Sequence, residues 1–330
     1  MINIYITIEL LIVSFLSIYI LDKLAKSFKI IDRPNKYKIH KKKITKIAGV
    51  GLIFIILNSF IIYDYNYELG YSFTILIFLI LVGFYDDLKQ LNASSKIIMM
   101  IIPIVLYAQE VGLVTKLGEY NGLLVELKSF SFIFTLCSIL LLTNAYNYID
   151  GMDGLLGTIT SVSLIFYYIF LPKNEAFIVI PFIVFILTFL VFNLGIFKKL
   201  PSVFIGDSGS IGIGFLFSVI IIHYTQNEIY IHESVAIWPV AFVVYEFLTV
   251  NIIRIKNKKN PFRRDLGFIF NKMLTKYGKI RTLLYCNLIN LFFCMIGYVT
   301  FVNEKFILSI FLFIVIFFIY FMFRLKQDKN

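Results

Sequence analysis

Two amides, two carboxylates and two glycines fall within twelve residues in Asn144-Ala-Tyr-Asn147-Tyr-Ile-Asp150-Gly-Met-Asp153-Gly-Leu155, directly after the apolar run 130–143. A polar cluster this dense at the end of a hydrophobic stretch costs free energy and marks a functional position. Asn144, Asn147, Asp150 and Asp153 recur three apart, so on a continuous helix their tips would share one face. Gly151 and Gly154 would let a ligand or a backbone approach closely. The plain alternative is a polar helix cap followed by a turn.

Three further constellations carry similar chemistry. Gly83-Phe-Tyr-Asp86-Asp87 follows the apolar run 71–85, which as a helix is about 22 Å long and short of a ~30 Å hydrocarbon core. The acids are therefore expected at, or slightly inside, an interface. Adjacent carboxylates repel, so a metal ion or a partner such as Lys96 is expected between them. Phe204-Ile-Gly206-Asp207-Ser208-Gly209-Ser210 opens another apolar run. Glycine-rich backbone at a helix N-terminus is an anion site, and Asp207 beside it could hold Mg²⁺ against a phosphate. The basic stretch 254–259 leads into Pro261-Phe-Arg263-Arg264-Asp265, where paired guanidinium groups suit phosphate oxygens. Basic loops also arise simply from membrane orientation. The loop 21–46, with Asp32, Pro34, Asn35 and His40, has the same two readings. Together these groups suit a charged diphosphate meeting a lipid acceptor, with positioning and charge neutralisation outweighing proton transfer.

The elements that must position them follow from composition. Of 330 residues, 59% are hydrophobic, above the level of a soluble globular domain. Eleven apolar segments stand out, at roughly 3–20, 47–63, 71–85, 97–113, 130–146, 154–171, 177–195, 209–223, 234–253, 281–301 and 306–323. The expectation is an all-α polytopic membrane protein with about eleven transmembrane helices, read as one domain over 1–330. Residues 1–20 read as a retained span rather than a signal peptide. Alternate connections hold 27 of the 31 Lys and Arg residues. The positive-inside rule then puts the N-terminus outside and the C-terminus in the cytoplasm. That placement explains the net charge of +11 as a topology signal and argues against nucleic acid as a partner. Cys137, Cys286 and Cys294 read as small buried hydrophobes. His223 and His232 read as solvated or interfacial groups, and Pro103, Pro181 and Pro239 as tolerated kinks within spans.

The motifs D-x-P-N…H (Asp32, Pro34, Asn35, His40), G-x-x-D-D (Gly83, Asp86, Asp87), N-x-x-N-x-x-D-G-x-D-G-L (144–155) and F-x-G-D-x-G-S (204–210) occur in that order. In this the chain resembles the polyprenyl-phosphate N-acetylhexosamine-1-phosphate transferases over about residues 30–275. It looks closer to the undecaprenyl-phosphate GlcNAc-1-phosphate transferases than to the phospho-MurNAc-pentapeptide translocases. The resemblance implies attack of undecaprenyl phosphate on the β-phosphorus of a UDP-amino sugar, release of UMP and a Mg²⁺ requirement. The site would face the cytoplasm of the bacterial inner membrane. It also implies Asp86, Asp87 and Asp207 as catalytic acids, with Asp207 and Asp150 at the metal. Asn144, Asn147, Asp150, Asp153, Lys96, Arg263 and Arg264 would then contact substrate, and a homodimer is compatible with it.

The departures bear on the substrate. The family's His-x-His-His signature after P-F-x-x-D is replaced here by Phe268, Phe270 and Asn271, while Pro261, Phe262 and Asp265 are kept. Glu246 stands for an acid on the preceding span, and Gln90, Thr45 and Ala48 replace other family residues. A divergent enzyme with a less polar amino sugar, using Arg263, Arg264 or Lys272 for charge, is one explanation. A catalytically impaired paralogue acting as a membrane scaffold is another. A transporter or flippase would need acids near span midpoints, for which Glu246 is the candidate considered.

Overall fold

Inside a bilayer no water satisfies the backbone, so long apolar segments close their hydrogen bonds within helices. The computed structural model describes residues 4–32, 44–260 and 267–329. Its helices are α1 (Ile4–Ser27), α2 (Gly51–Ile62), α3 (Tyr67–Lys89), α4 (Ala93–Glu110), α5 (Ser131–Ile149), α6 (Leu155–Phe170) and α7 (Ile180–Asn193). They continue with α8 (Gly206–Ile222), α9 (Glu233–Ala236), α10 (Ala241–Lys256), α11 (Ile269–Tyr277), α12 (Lys279–Val302) and α13 (Phe306–Lys329). All eleven apolar segments appear as helices. Nine among the described residues are long and apolar enough to cross a membrane, and the segments Ala48–Ile62 and Leu155–Phe170 are shorter. The chain is thus an all-α polytopic membrane protein.

Helix α8 is the axis of the bundle, buried along nearly its whole length, whereas α13 is largely exposed and stands at the periphery. Small residues explain the difference. Glycines and serines along α8 let neighbouring backbones approach, which is how helices associate without a hydrophobic drive between them. At Gly83, a Cβ would lie within 2.6 Å of the Ser208 backbone, so α3 rests directly on the first turn of α8. Helix α5 packs on another side of α8.

Two small β elements were not anticipated. Strands β1 (Ile31–Asp32) and β2 (Ile44–Lys46) pair antiparallel, and β2 pairs in parallel with β5 (Val203–Phe204). This brings Lys46 level with Phe204, two residues before the start of α8. Strands β3 (Lys116–Tyr120) and β4 (Leu123–Glu126) form a hairpin closed by Asn121 and Gly122, both at positive φ, as a two-residue turn requires.

Several expectations need correcting. Helix α3 has 23 residues, about 34 Å, so Asp86 and Asp87 lie in its last turn rather than beyond its end. Helix α5 stops at Ile149, with Asp150 as its C-cap, so only Asn144 and Asn147 share a helical face. Pro181 stands at the start of α7 and Pro239 in a short turn before α10, and only Pro103 is inside a helix. Cys286 and Cys294 are buried, but Cys137 is exposed on the helix surface. His223 is 1% exposed, and neither ring nitrogen has a hydrogen-bond partner, so it is not solvated.

Candidate active site

The last turn of α3, the start of α4, the end of α5 and the first turn of α8 converge at one end of the bundle. The conformation of α8's start explains why. Its first backbone N–H groups have no partner within the helix, and Asp87 supplies one. The two carboxylate oxygens of Asp87 accept hydrogen bonds from the backbone nitrogens of Asp207, at 3.0 Å, and Ser208, at 3.1 Å. A negative charge there also complements the helix dipole. Gly206 makes room for it: its φ is +75°, and a Cβ would meet an Asp87 oxygen at 2.4 Å. The glycine-rich turn therefore does hold an anion, but the anion is the chain's own carboxylate.

Lys96, in the first turn of α4, takes the place expected for a cation. Its Nζ lies 2.8 Å from Asp86 Oδ2 and 2.5 Å from Asp207 Oδ2, and it donates to Asn147 Oδ1 at 3.4 Å. The other oxygen of Asp86 accepts from the Leu91 backbone N–H at 2.7 Å, which fixes the turn between α3 and α4. Asn147 is buried and donates through Nδ2 to Ser210 Oγ at 2.9 Å. The structure thus joins Asp86, Asp87, Lys96, Asn147 and Asp207 in one connected cluster. With side chains 12% exposed for Lys96 and 15% for Asp207, the cluster keeps a face open.

The remaining expected residues are arranged differently. Asn144 is half-buried and donates to the Leu140 carbonyl of its own helix at 2.7 Å. Asp150 is half-buried at the end of α5. Asp153 pairs with Lys279 at the start of α12, 2.8 Å away, with both groups well exposed. Arg263 and Arg264, like Pro34, Asn35, His40, Pro261, Phe262 and Asp265, lie outside the described residues. Lys272 donates to the Gln327 carbonyl on α13 at 2.9 Å. Among the described residues no three His, Cys, Asp or Glu side chains are grouped to hold a metal. Magnesium, however, is often held by one or two carboxylates together with substrate phosphates. The oxygen donors of Asp207 and Asp150 fit that ion in kind.

Residues that sequence reasoning passed over now have places. Lys46 lies close enough to Asp87 for their charges to interact; as one of 10 basic residues in loop 21–46, nothing singled it out. Phe268 and Phe270, at the missing imidazole positions, are buried rather than turned to solvent. Phe268 stacks on Tyr148 with ring centroids 5.7 Å apart, and the Arg254 guanidinium lies over both rings. The Phe270 ring lies against Gly151, where a Cβ would come within 2.6 Å of it. Arg254, read as part of a basic loop, is thus a buried residue of α10.

The bundle and its lysine–carboxylate cluster define a polytopic membrane protein with a partly open polar site built from four helix ends. The model of glycosyl transferase family 4 matches residues 69–225, the stretch that contains the whole cluster. The undecaprenyl-phosphate α-N-acetylglucosaminyl 1-phosphate transferase of Escherichia coli K12 is 27% identical over 281 residues, covering 81% of this chain and 75% of that protein. The Thermotoga maritima protein of that name is 27% identical over 310 residues, covering 92% of each chain. The Yersinia pestis one is 25% identical, covering 89% and 84%. Over residues 69–225 the chain is similar to glycosyl transferase family 4, in agreement with the family resemblance of its motifs.

Proposed function

We propose that the protein transfers a sugar 1-phosphate from a UDP-amino sugar to undecaprenyl phosphate, releasing UMP, at the cytoplasmic face of a bacterial inner membrane. The names of its relatives supply the acceptor and the reaction type. The observation that carries the reading is the Lys96 ammonium held between Asp86 and Asp207 beside the Asp87-capped start of α8. The concentration of basic residues in alternate loops favours the cytoplasmic orientation.

The chemistry follows from charge. A phosphate monoester has a second pKa of about 6 and is largely dianionic at neutral pH, so its oxygen is nucleophilic without a general base. That oxygen attacks the β-phosphorus of the nucleotide-sugar. The bond from the β-phosphorus to the bridging oxygen breaks, and UMP leaves with that oxygen. Both reactants are anions, so the main barrier the protein can lower is their repulsion. Lys96 contributes a positive charge, and Asp86 and Asn147 keep its ammonium beside the site. Asp87 fixes the start of α8 and with it Asp207. Lys46 adds a second cation beside the acids. Bound Mg²⁺ would neutralise the diphosphate, with Asp207 and Asp150 as its protein ligands.

The test is UMP release by the purified chain with undecaprenyl phosphate and a panel of UDP-HexNAc, UDP-QuiNAc and UDP-FucNAc donors. One donor should support release, with EDTA abolishing it and Mg²⁺ restoring it. No release with any donor would favour a scaffold. A transporter is disfavoured because Glu246, an acid buried within a span, is already paired with Arg324 at 3.1 Å.

A further inference from the structure

Glu246 on α10 and Arg324 on α13 form an ion pair that is 1% exposed on both sides. Arg324 Nε donates to Glu246 Oε2 and Nη2 to Oε1, each at 3.1 Å, so the guanidinium fork engages both carboxylate oxygens. Tyr320, one turn earlier on α13, donates its hydroxyl to Oε2 at 2.5 Å. Two contacts leave this pair and reach the segment before α11. Arg324 Nη2 donates to the Gly267 carbonyl at 2.6 Å, and the Ile269 backbone N–H donates to Glu246 Oε1. Glu246 thereby caps the first turn of α11, where backbone donors lack helical partners.

The held segment bears directly on the site. Phe268, between the two held positions, stacks on Tyr148 at the end of α5. Phe270 presses on Gly151, within the turn that carries Asp150 and Asp153. An isolated buried carboxylate is costly, and a well-packed apolar replacement of such a pair is often neutral for stability. Keeping the pair is therefore better explained by the two backbone positions it holds than by stability.

We infer that Arg324, acting through Glu246, is a positioning residue: it clamps segment 267–270 so that Phe268 and Phe270 hold the 150–153 turn in its working place. The peripheral helix α13 is thus coupled to a site it does not touch. The inference rests on the transferase reading for its kinetic consequence, but the clamp itself can be read without catalysis. Lysine would be a poor substitute, since it lacks the planar fork that reaches both oxygens and the Gly267 carbonyl.

The test uses the full chain with Glu246→Leu and Arg324→Met together, a pair chosen to remain folded, and Arg324→Lys as the conservative variant. Two readouts are taken. The first is maleimide labelling of Phe270→Cys in a Cys137→Ser background, where Cys286 and Cys294 are buried. The second is the kcat and KM of transfer without the cysteine changes. The expected result is an unchanged thermal midpoint and labelling of position 270 about tenfold faster in the double variant. Its kcat should fall about 100-fold, the cost of small misplacements, with little change in the KM for undecaprenyl phosphate. Arg324→Lys should fall between wild type and the double variant. Protection of position 270 that persists in the double variant overturns the inference, whatever the activity. So does full kcat with position 270 exposed. If the unmodified chain shows no transfer, the transferase reading fails, while labelling still decides the clamp.

Discussion

Asp87 and Glu246 perform the same local task at two helix starts in opposite surroundings. Each carboxylate accepts backbone N–H groups at the beginning of a helix, α8 for Asp87 and α11 for Glu246. Each belongs to a cluster built around a cation in direct contact with an acid. Around Asp87 that cation is Lys96, whose side chain and the neighbouring Asp207 are 12% and 15% exposed. Around Glu246 it is Arg324, and both members are 1% exposed with their polar atoms engaged. Under the proposed function the first cluster exchanges a contact for a substrate phosphate; the second cannot without opening the bundle. The difference teaches that buried charge in this protein has two uses, and that access, not charge, separates them. Lysine suits the open cluster as a compact, mobile point charge, and arginine suits the sealed one as a rigid fork.

The comparison can be broken at several points. Lys96→Met should lower transfer about 10³-fold, the upper range for removing one preorganised electrostatic contact, measured as UMP release at saturating donor. Lys96→Arg should retain more activity than Lys96→Met; equal loss would show that shape rather than charge matters there. Gly206→Ala should lower transfer about tenfold through displacement of Asp87 from the α8 start, since the residue adopts φ +75° against that carboxylate. Purified variant and wild type compared by thermal unfolding should show the strain as a lower midpoint. Asp153→Asn should have the smallest effect, about threefold or less, because exposed ion pairs contribute little and Asp153 and Lys279 are 36% and 40% exposed. A large loss there would move the site outward, towards α12.

Much of the open cluster was legible in the sequence. Asp86, Asp87, Asn147 and Asp207 stood at the ends of apolar runs, and alternation of basic loops placed those ends on one side. Lys96 was visible as a possible partner of the acids because it was near them in the chain. What was not legible depended on tertiary contact. The glycine-rich turn at 206–212 signalled an anion site correctly, but nothing local says that Asp87, 120 residues away, is the anion. The spacing of Asn144, Asn147, Asp150 and Asp153 suggested one helical face, and the helix ended before the acids. In the sequence Arg324 is only one more basic residue near the C-terminus, because its partner lies 78 residues earlier. Phe268 and Phe270 looked like a loss, since replaced histidines report only what is missing. Packed against Tyr148 and Gly151, they replace polar contact by apolar support.

The most direct test of the open cluster is conversion of radiolabelled UDP-amino sugar to lipid-linked product in membranes bearing equal amounts of wild type, Asp87→Ala and Asp207→Ala. The account predicts product with wild type and a loss of about 10³-fold in each variant, with both variants still folded by thermal unfolding. Full activity in both variants would contradict it.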